Sequence, residues 1–319
     1  MACKHVDFAV EALIVDDRRE KSVELKVSRE GPRNLSFRIL HGGGLSGFAA
    51  AVNLGARAAK APLLLILNDD VTLGEASVFG LCQATVKRPL AAVFQAKVLS
   101  ADDPTVFEYA GAAGGLIDRY GYPYCRGRVL FECEVDDGQF DSEAPIFWAA
   151  GCAMLIRREA YDACGGLYEG FFMHMEEIDL CWRLWRSGRE CWSVPQAVVY
   201  HQGGGTLARG SFRKSWWNHR NHWLLIFRNL DRWPLLRAVL MRLLLDTLEI
   251  TWSITTLRWS NALAVALASP WPIFNIRRLR EARRQAAGSY QLPTAAPVYP
   301  GSMVLADAMG RDRGKLYGR

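Results

Sequence analysis

Short apolar runs alternate with helical patterns through the first hundred residues. EALIVDD (11–17) is a brief apolar run ending in two acids, and SFRILHGG (36–43) is another ending in glycines. LSGFAAAVNLGARAAK (45–60) is Ala-rich with helical periodicity. LLLILNDDV (63–71) is a continuous apolar run that again ends in acids, ASVFGLCQATVKR (76–88) reads as a helix, and AAVFQAKVL (91–99) closes the set. Strands alternating with helices predict an α/β domain around a largely parallel sheet. Ligands of such sheets bind outside the carboxyl ends of the strands. Both acid pairs, Asp16–Asp17 and Asp69–Asp70, fall at those ends.

Residues 101–205 are more irregular, with one strong strand candidate, IFWAAGCAMLIRR (146–158), and a helix over MEEIDLCWRLWRSG (175–188) stopped by Gly188. Beyond about residue 211 the chain becomes rich in Trp, Leu and Arg. Residues 286–319 are rich in Pro, Gly and Ala and read as a flexible tail.

A length of 319 residues, half of them hydrophobic, suffices for a sizeable core and excludes a disordered chain. No repeat period appears, which argues against solenoids and propellers. The net charge of +6 is mildly basic, with no recognised nucleic-acid-binding motif. Arginine is concentrated toward the C-terminus, which suits an anionic membrane surface or a phosphorylated ligand. The eight cysteines form no CxxC pair and no metal-ligand spacing, and several lie in apolar runs, so they read as buried free thiols of a reducing compartment. The N-terminus has no apolar stretch of signal-peptide length, and no run approaches the roughly 18 apolar residues of a clean membrane span.

Four constellations carry candidate chemistry. Gly42, Gly44 and Gly47 have GxGxxG spacing between a strand and a helix, the context of a dinucleotide fingerprint, so an NAD-dependent oxidoreductase must be weighed. Against it, a strand ending in Asp16–Asp17 already precedes the glycines, and no single acid follows at the usual interval. The alternative is a glycine turn that packs the helix closely. Asn68–Asp69–Asp70 ends a buried strand, where a carboxylate is costly unless paired or bound to a cation; hard oxygen ligands there suit Mg²⁺ or Mn²⁺. Asp70 as a simple helix cap is the competing reading. Glu176, Glu177 and Asp179 stack three acids at a helix start, which the helix dipole favours by itself. They also follow the apolar GLYEGFFMHM, so desolvation can raise one carboxylate toward a useful general base. His201 ends a strand before three glycines, and near an acid cluster a metal-ligand role becomes credible.

Taken in order, LIVDD, GFAAAVNLGARAA, LLLILNDDV, FWAAGCAMLIRREAYDACGGLYEGFFMHMEEIDLCWRLWRSG, VVYHQGGGTL and NHRNHWLLIFRNL resemble family 2 glycosyltransferases of the GT-A fold, nearest their rhamnosyltransferase-like members, over roughly residues 8 to 230. The resemblance implies a mostly parallel Rossmann-like sheet with helices on both faces. It implies Asp16 or Asp17 at the nucleotide base, with Asn68 and Asp69 on the donor side. It further implies Asp70 as last acid of the DxD-type metal motif, His201 completing the metal site, and Glu177 as the catalytic base. Trp148, Gly151, Glu176, Asp179 and Arg183 match acceptor-side or supporting positions. The implied reaction is inverting, metal-dependent transfer of a sugar from a nucleotide-sugar donor to a hydroxyl of a glycan or lipid-linked acceptor.

Family members begin with a further strand and helix before the LIVDD element, so an N-terminally truncated domain over 1–230 is expected, and a non-catalytic remnant is the rival reading. Residues 231–285 are expected to form a membrane-associating helical region. There, Leu236, Leu240, Leu243, Leu244, Leu248 and Ile254 recur at helical spacing, while Arg242, Asp246 and Glu249 form a polar stripe. The Pro-broken NALAVALASPWPIF then precedes Arg277, Arg278, Arg280, Arg283 and Arg284. Basic residues beside an amphipathic segment suit the cytoplasmic, inner face of an anionic cell membrane. A helix packed on the catalytic domain is the plainer alternative.

Overall fold

A computed structural model describes residues 9–17, 34–45, 47–203, 211–286, 288, 291–311 and 313–317. The strands β1 (Val10–Asp16) and β2 (Leu35–His41) pair in parallel, in full register from Val10↔Leu35 to Asp16↔His41. Helix α1 (Phe48–Ala58) follows, its Ala49, Ala50, Asn53 and Ala56 turned inward at helical spacing. Next come β3 (Leu63–Leu67), β4 (Val71–Leu73), α2 (Ser77–Lys87) and β5 (Ala91–Ser100). Every position of β5 but the last is buried, as an apolar run covered on both faces should be.

The irregular middle of the chain builds a second sheet from β6 (Gly115–Asp118), β7 (Pro123–Cys125), β8 (Arg128–Val129) and β9 (Glu132–Cys133). The chain then returns to the first sheet with β10 (Ala144–Pro145) and β11 (Ala153–Arg157). Helices α3 (Arg158–Ala163) and α4 (Glu176–Arg186) lead to the long strand β12 (Glu190–His201). The principal sheet runs β10-β12-β5-β11-β3, with β4 paired to β12.

The α/β class stands, but the sheet is mixed. β12 is parallel to β5, and β11 runs antiparallel to both β5 and β3, so β3, β5 and β12 point one way, with β11 reversed between β5 and β3 and the short β4 and β10 reversed against β12. The strand expected over 146–158 starts only at Ala153, because Ile146 and Trp148 are already engaged by Cys191 and Gly115. Since β3 and β12 share a direction, their carboxyl ends lie at the same end of the sheet. Register completes the arrangement: His201 pairs with Val71 of β4, and Gln202 N donates to Asp70 O at 3.1 Å.

Beyond the sheet lie α5 (Phe212–Asn229), α6 (Arg232–Thr255), α7 (Trp259–Ala268), α8 (Trp271–Phe274) and α9 (Ile276–Gln285). Ala238 of α6 and Leu279 and Ala282 of α9 belong to the main core, so these helices continue the domain. The expectation of a flexible tail over 286–319 is overturned for its described residues. There β13 (Val298–Tyr299) adds to β6, and α10 (Met303–Ala308) and α11 (Arg313–Leu316) follow. Met303, Ala306 and Leu316 bury against Leu116, Tyr124 and Val129, while Tyr124 donates to Leu316 O at 2.7 Å. Scattered apolar side chains with a sheet edge to pair with do the ordering, without any periodicity of their own.

The cysteine expectation holds in part. Cys125, Cys152, Cys181 and Cys191 are buried thiols; Cys82, Cys133 and Cys164 are half-exposed and in no disulfide, and Cys3 lies outside the described residues.

Candidate active site

One cavity of about 2480 Å³ is lined by the ends of β1 and β3, the start of α4 and the end of β12. Asp16, Asp17, Asn68, Asp69, Asp70, Glu176, Glu177 and His201 all border it, as do Trp148 and Gly151. Asp179 and Arg183 do not.

Asp70 and His201 meet across the sheet end. His201 Nε2 lies 3.0 Å from Asp70 Oδ1 and 3.4 Å from Asn68 Nδ2. Asp70 Oδ1 is buried yet makes no hydrogen bond. A hard carboxylate oxygen without a donor, beside an imidazole nitrogen, is a donor set that suits Mg²⁺ or Mn²⁺. The two residues therefore fit a divalent cation. Asp69 is exposed.

Glu177 stands in the first turn of α4, where the helix dipole attracts a carboxylate. Its Oε2 is buried with no hydrogen-bond partner. Burial pushes its carboxyl up to about 7, against the pull of nearby backbone N–H groups. Glu176 beside it is raised well above the usual carboxylate range too, by burial and then by the charge of Glu177. Glu177, Asp70 and Glu108 all act electrostatically on the buried Cys152 thiol, which burial holds well above its ordinary value.

The backbone leading into α4 is strained. Phe172, His174 and Met175 have φ of 69°, 68° and 73°, left-handed values that bulky residues avoid. Asn221 of α5, fully buried, holds this loop by donating to Phe171 O (3.1 Å), Met173 O (2.6 Å) and His174 O (2.8 Å). Arg220 adds a bond to Gly170 O at 2.8 Å. Strain stored beside the glutamates, and a neighbour helix that overdetermines it, is the pattern of a built site.

Asp179 occupies a different environment, at 0% exposure. Burial alone would raise its carboxyl, but Arg183 and Arg228 hold it down at about 2. Arg183 Nε is 2.9 Å and Arg228 Nε 2.8 Å from its oxygens, and Asn229 donates at 2.7 Å. Arg183 also reaches Gly166 O at 2.9 Å. Both residues thus tie α4 to α5 and to the preceding turn. Trp148 serves similarly, donating from Nε1 to Leu116 O at 2.8 Å.

The glycine fingerprint is a packing turn. Gly42 and Gly44 donate back to Asp16 O and Asp17 O, at 2.8 and 3.0 Å. Gly47 has φ +90°, and a Cβ there would sit 2.1 Å from Phe172 O. The start of α1 is covered by the strained loop, which leaves no cradle for a dinucleotide pyrophosphate.

Sequence reasoning passed over Glu108, Asn221 and the approach of His219 to Asp246 and Glu249 of the polar stripe, a cluster in which Asp246 is buried and the other two are half-buried. The last has metal-like spacing, but Arg242 Nε lies 2.8 Å from Asp246 and Arg242 Nη2 2.5 Å from His219 Nδ1, so a guanidinium already supplies the positive charge. Its signal was the polar stripe on α6.

Comparison with known proteins bears on the same regions. The family model described as glycosyltransferase like family 2 matches residues 1–233. The chain is 29% identical over 190 residues to N-acetylglucosaminyl-diphospho-decaprenol L-rhamnosyltransferase of Mycobacterium tuberculosis, covering 54% of this chain and 61% of that protein. It is 37% identical over 60 residues to rhamnosyltransferase WbbL of Escherichia coli K12, covering 19% and 23%. Among solved structures, S. aureus TarS 1–349 aligns at TM-score 0.47 and 12% identity, covering 94% of this chain and 82% of that one. The mannosyltransferase PcManGT of Pyrobaculum calidifontis, in complex with GDP-Man and Mn²⁺, aligns at 0.43 and 14%, covering 94% and 70%.

Proposed function

The chain belongs to glycosyltransferase like family 2, and on that premise we propose that it transfers a sugar, with inversion, from a nucleotide-sugar donor to a hydroxyl of a glycan or lipid-linked acceptor. The observation that carries the reading is the meeting in one cavity of the raised Glu177 carboxyl, whose Oε2 has no hydrogen-bond partner, with the Asp70–His201 pair.

A base with a pKa near neutrality combines a usable deprotonated fraction with real proton affinity. Glu177 takes the acceptor hydroxyl proton as that oxygen attacks the anomeric carbon and the bond to the nucleoside diphosphate breaks. One displacement by one base inverts the configuration. Asp70 and His201 are the residues that would hold Mg²⁺ or Mn²⁺, which when bound neutralises charge on the departing diphosphate. Asp16, Asp17, Asn68 and Asp69 border the donor side of the cavity.

We place the acceptor at an anionic membrane surface, on the inner, cytoplasmic face. Helix α6 is turned inside out. Leu236, Leu240, Leu243, Leu244 and Leu248 face solvent, while Arg242 and Asp246 are buried against His219 of α5. The apolar surface continues through Trp259, Leu263 and Leu267 to Ile273 and Phe274, 74% and 82% exposed. An apolar face of this extent marks an interaction surface. Arg277, Arg278, Arg280 and Arg284 lie exposed beside it, whereas Arg283 turns inward to Phe227 O and Leu230 O. Among the described residues no helix is long and apolar enough to cross a membrane. Leu248 and Trp252 of the exposed face also line the catalytic cavity, giving a lipid-linked acceptor a path to Glu177.

The test is transfer from a panel of nucleotide sugars to a polyprenyl-diphosphate-linked sugar in anionic vesicles, with the anomeric configuration of the product read by NMR. Inverted product supports the reading; a retained configuration, or donor binding without transfer under any condition, contradicts it, the latter in favour of a non-catalytic remnant.

A further inference from the structure

His201 is approached by a carboxylate at each ring nitrogen. Nε2 faces Asp70 at 3.0 Å, and Nδ1 lies 3.0 Å from Glu108 Oε2, both close charge contacts without the alignment of a hydrogen bond. Glu108 is 6% exposed, in the loop that follows β5, and is itself firmly held. Its backbone N donates to Val98 O at 3.0 Å, and Ala110 N donates to its Oε2 at 2.5 Å. Gly203 closes the other side: with φ +58°, a Cβ there would stand 2.6 Å from Glu108 Oε1. The fold thus brings a buried carboxylate against the ring face opposite the cavity.

A neutral imidazole has one N–H and one lone pair, and its neighbours decide which nitrogen carries which. Asp70 by itself would draw the proton to Nε2 and leave no lone pair directed at the cavity. A carboxylate at Nδ1 draws it the other way, the arrangement found behind metal-bound histidines generally. We propose that Glu108 is a positioning residue, which holds the His201 proton on Nδ1 so that Nε2 presents its lone pair, beside Asp70, to a divalent cation. The proposal rests on the cation reading of Asp70 and His201 given above.

The experiment uses Mn²⁺ alone, without sugar nucleotide, titrated into the full chain and followed by electron paramagnetic resonance of the free ion. Wild type, Glu108→Gln and Asp70→Ala are compared, with thermal unfolding as a check on folding. Glu108→Gln keeps the side chain's shape and removes its charge, and should weaken Mn²⁺ binding about 10–100-fold, the usual scale for loss of such a partner. The metal-free wild type, examined by ¹⁵N NMR at a pH high enough for the His201 ring to be neutral, with its signal assigned from His201→Gln, should show the Nδ1–H tautomer. That readout needs no Glu108 variant to fold. Wild-type Mn²⁺ affinity in well-folded Glu108→Gln, with affinity lost in Asp70→Ala, overturns the role of Glu108 alone. An Nε2–H tautomer in the wild type overturns it equally. Unchanged affinity in Asp70→Ala, or no binding by the wild type, removes the cation reading and this proposal with it.

Discussion

Replacing Asp179 removes the one carboxylate set between two buried guanidiniums. Arg228 is 2% exposed and Arg183 8%, and both point at Asp179 from within 3 Å. Each also donates to a backbone carbonyl, Arg228 to Ala282 O and Arg183 to Gly166 O, so neither can swing out to water without breaking further bonds. Breaking a buried pair from one side costs about 3–5 kcal/mol, because the partner charge stays buried. Asp179→Ala should therefore lose stability on that scale in urea unfolding at neutral pH.

The pH dependence has a definite sign. The folded carboxyl sits at about 2, below its ordinary 3.8. A depressed acid contributes stability above its unfolded pKa and loses it as pH falls through the folded one. The contribution is about 2 kcal/mol, present above pH ~4 and gone near pH ~2. Asp179→Asn cannot titrate, so the stability gap between wild type and Asp179→Asn should narrow over that window. A loss below about 1 kcal/mol at neutral pH, or a gap that does not change with pH, would refute the network; an intact fold with abolished turnover would instead make Asp179 a catalytic group.

Two further outcomes follow from the same packing. Asn221→Ala strips the donors from Phe171 O, Met173 O and His174 O and should relax the strained loop below Glu177; turnover is expected to fall at least about tenfold, consistent with unsatisfied buried carbonyls costing about 1–3 kcal/mol, and unchanged turnover would show that the loop holds itself. Leu240→Glu with Leu244→Glu changes exposed positions of α6 only, so folding should persist while flotation with anionic vesicles is lost; undiminished flotation would move the membrane contact elsewhere.

Much of this was legible from pattern. Every strand and helix placed in the first hundred residues forms within a few positions of its expected bounds. Asp70, Glu177 and His201 could be singled out because each stands at an element's end beside apolar sequence, where burial gives a charge meaning. Glu108 could not, since it lies in an irregular stretch and matters only through the β5–β12 pairing. The resemblance marked Asp179 and Arg183 as acceptor-side or supporting positions, but their ion pair, and the part of Arg228 in it, emerges only when α4 and α5 pack together. On α6 periodicity revealed two faces, but only tertiary contact could tell that the polar one goes inward. The tail was misread because Val298, Met303 and Leu316 owe their order to a neighbouring sheet edge and to Tyr124.

The central claim is that the Glu177 carboxylate is the base of sugar transfer, and the most direct measurement is the turnover of Glu177→Gln alongside its donor affinity. Gln keeps the size and the helix position while removing the proton acceptor. The account predicts a loss in kcat of about 10²-fold or more, the scale for losing a general base, with donor binding unchanged. Near-normal turnover in that variant would contradict it.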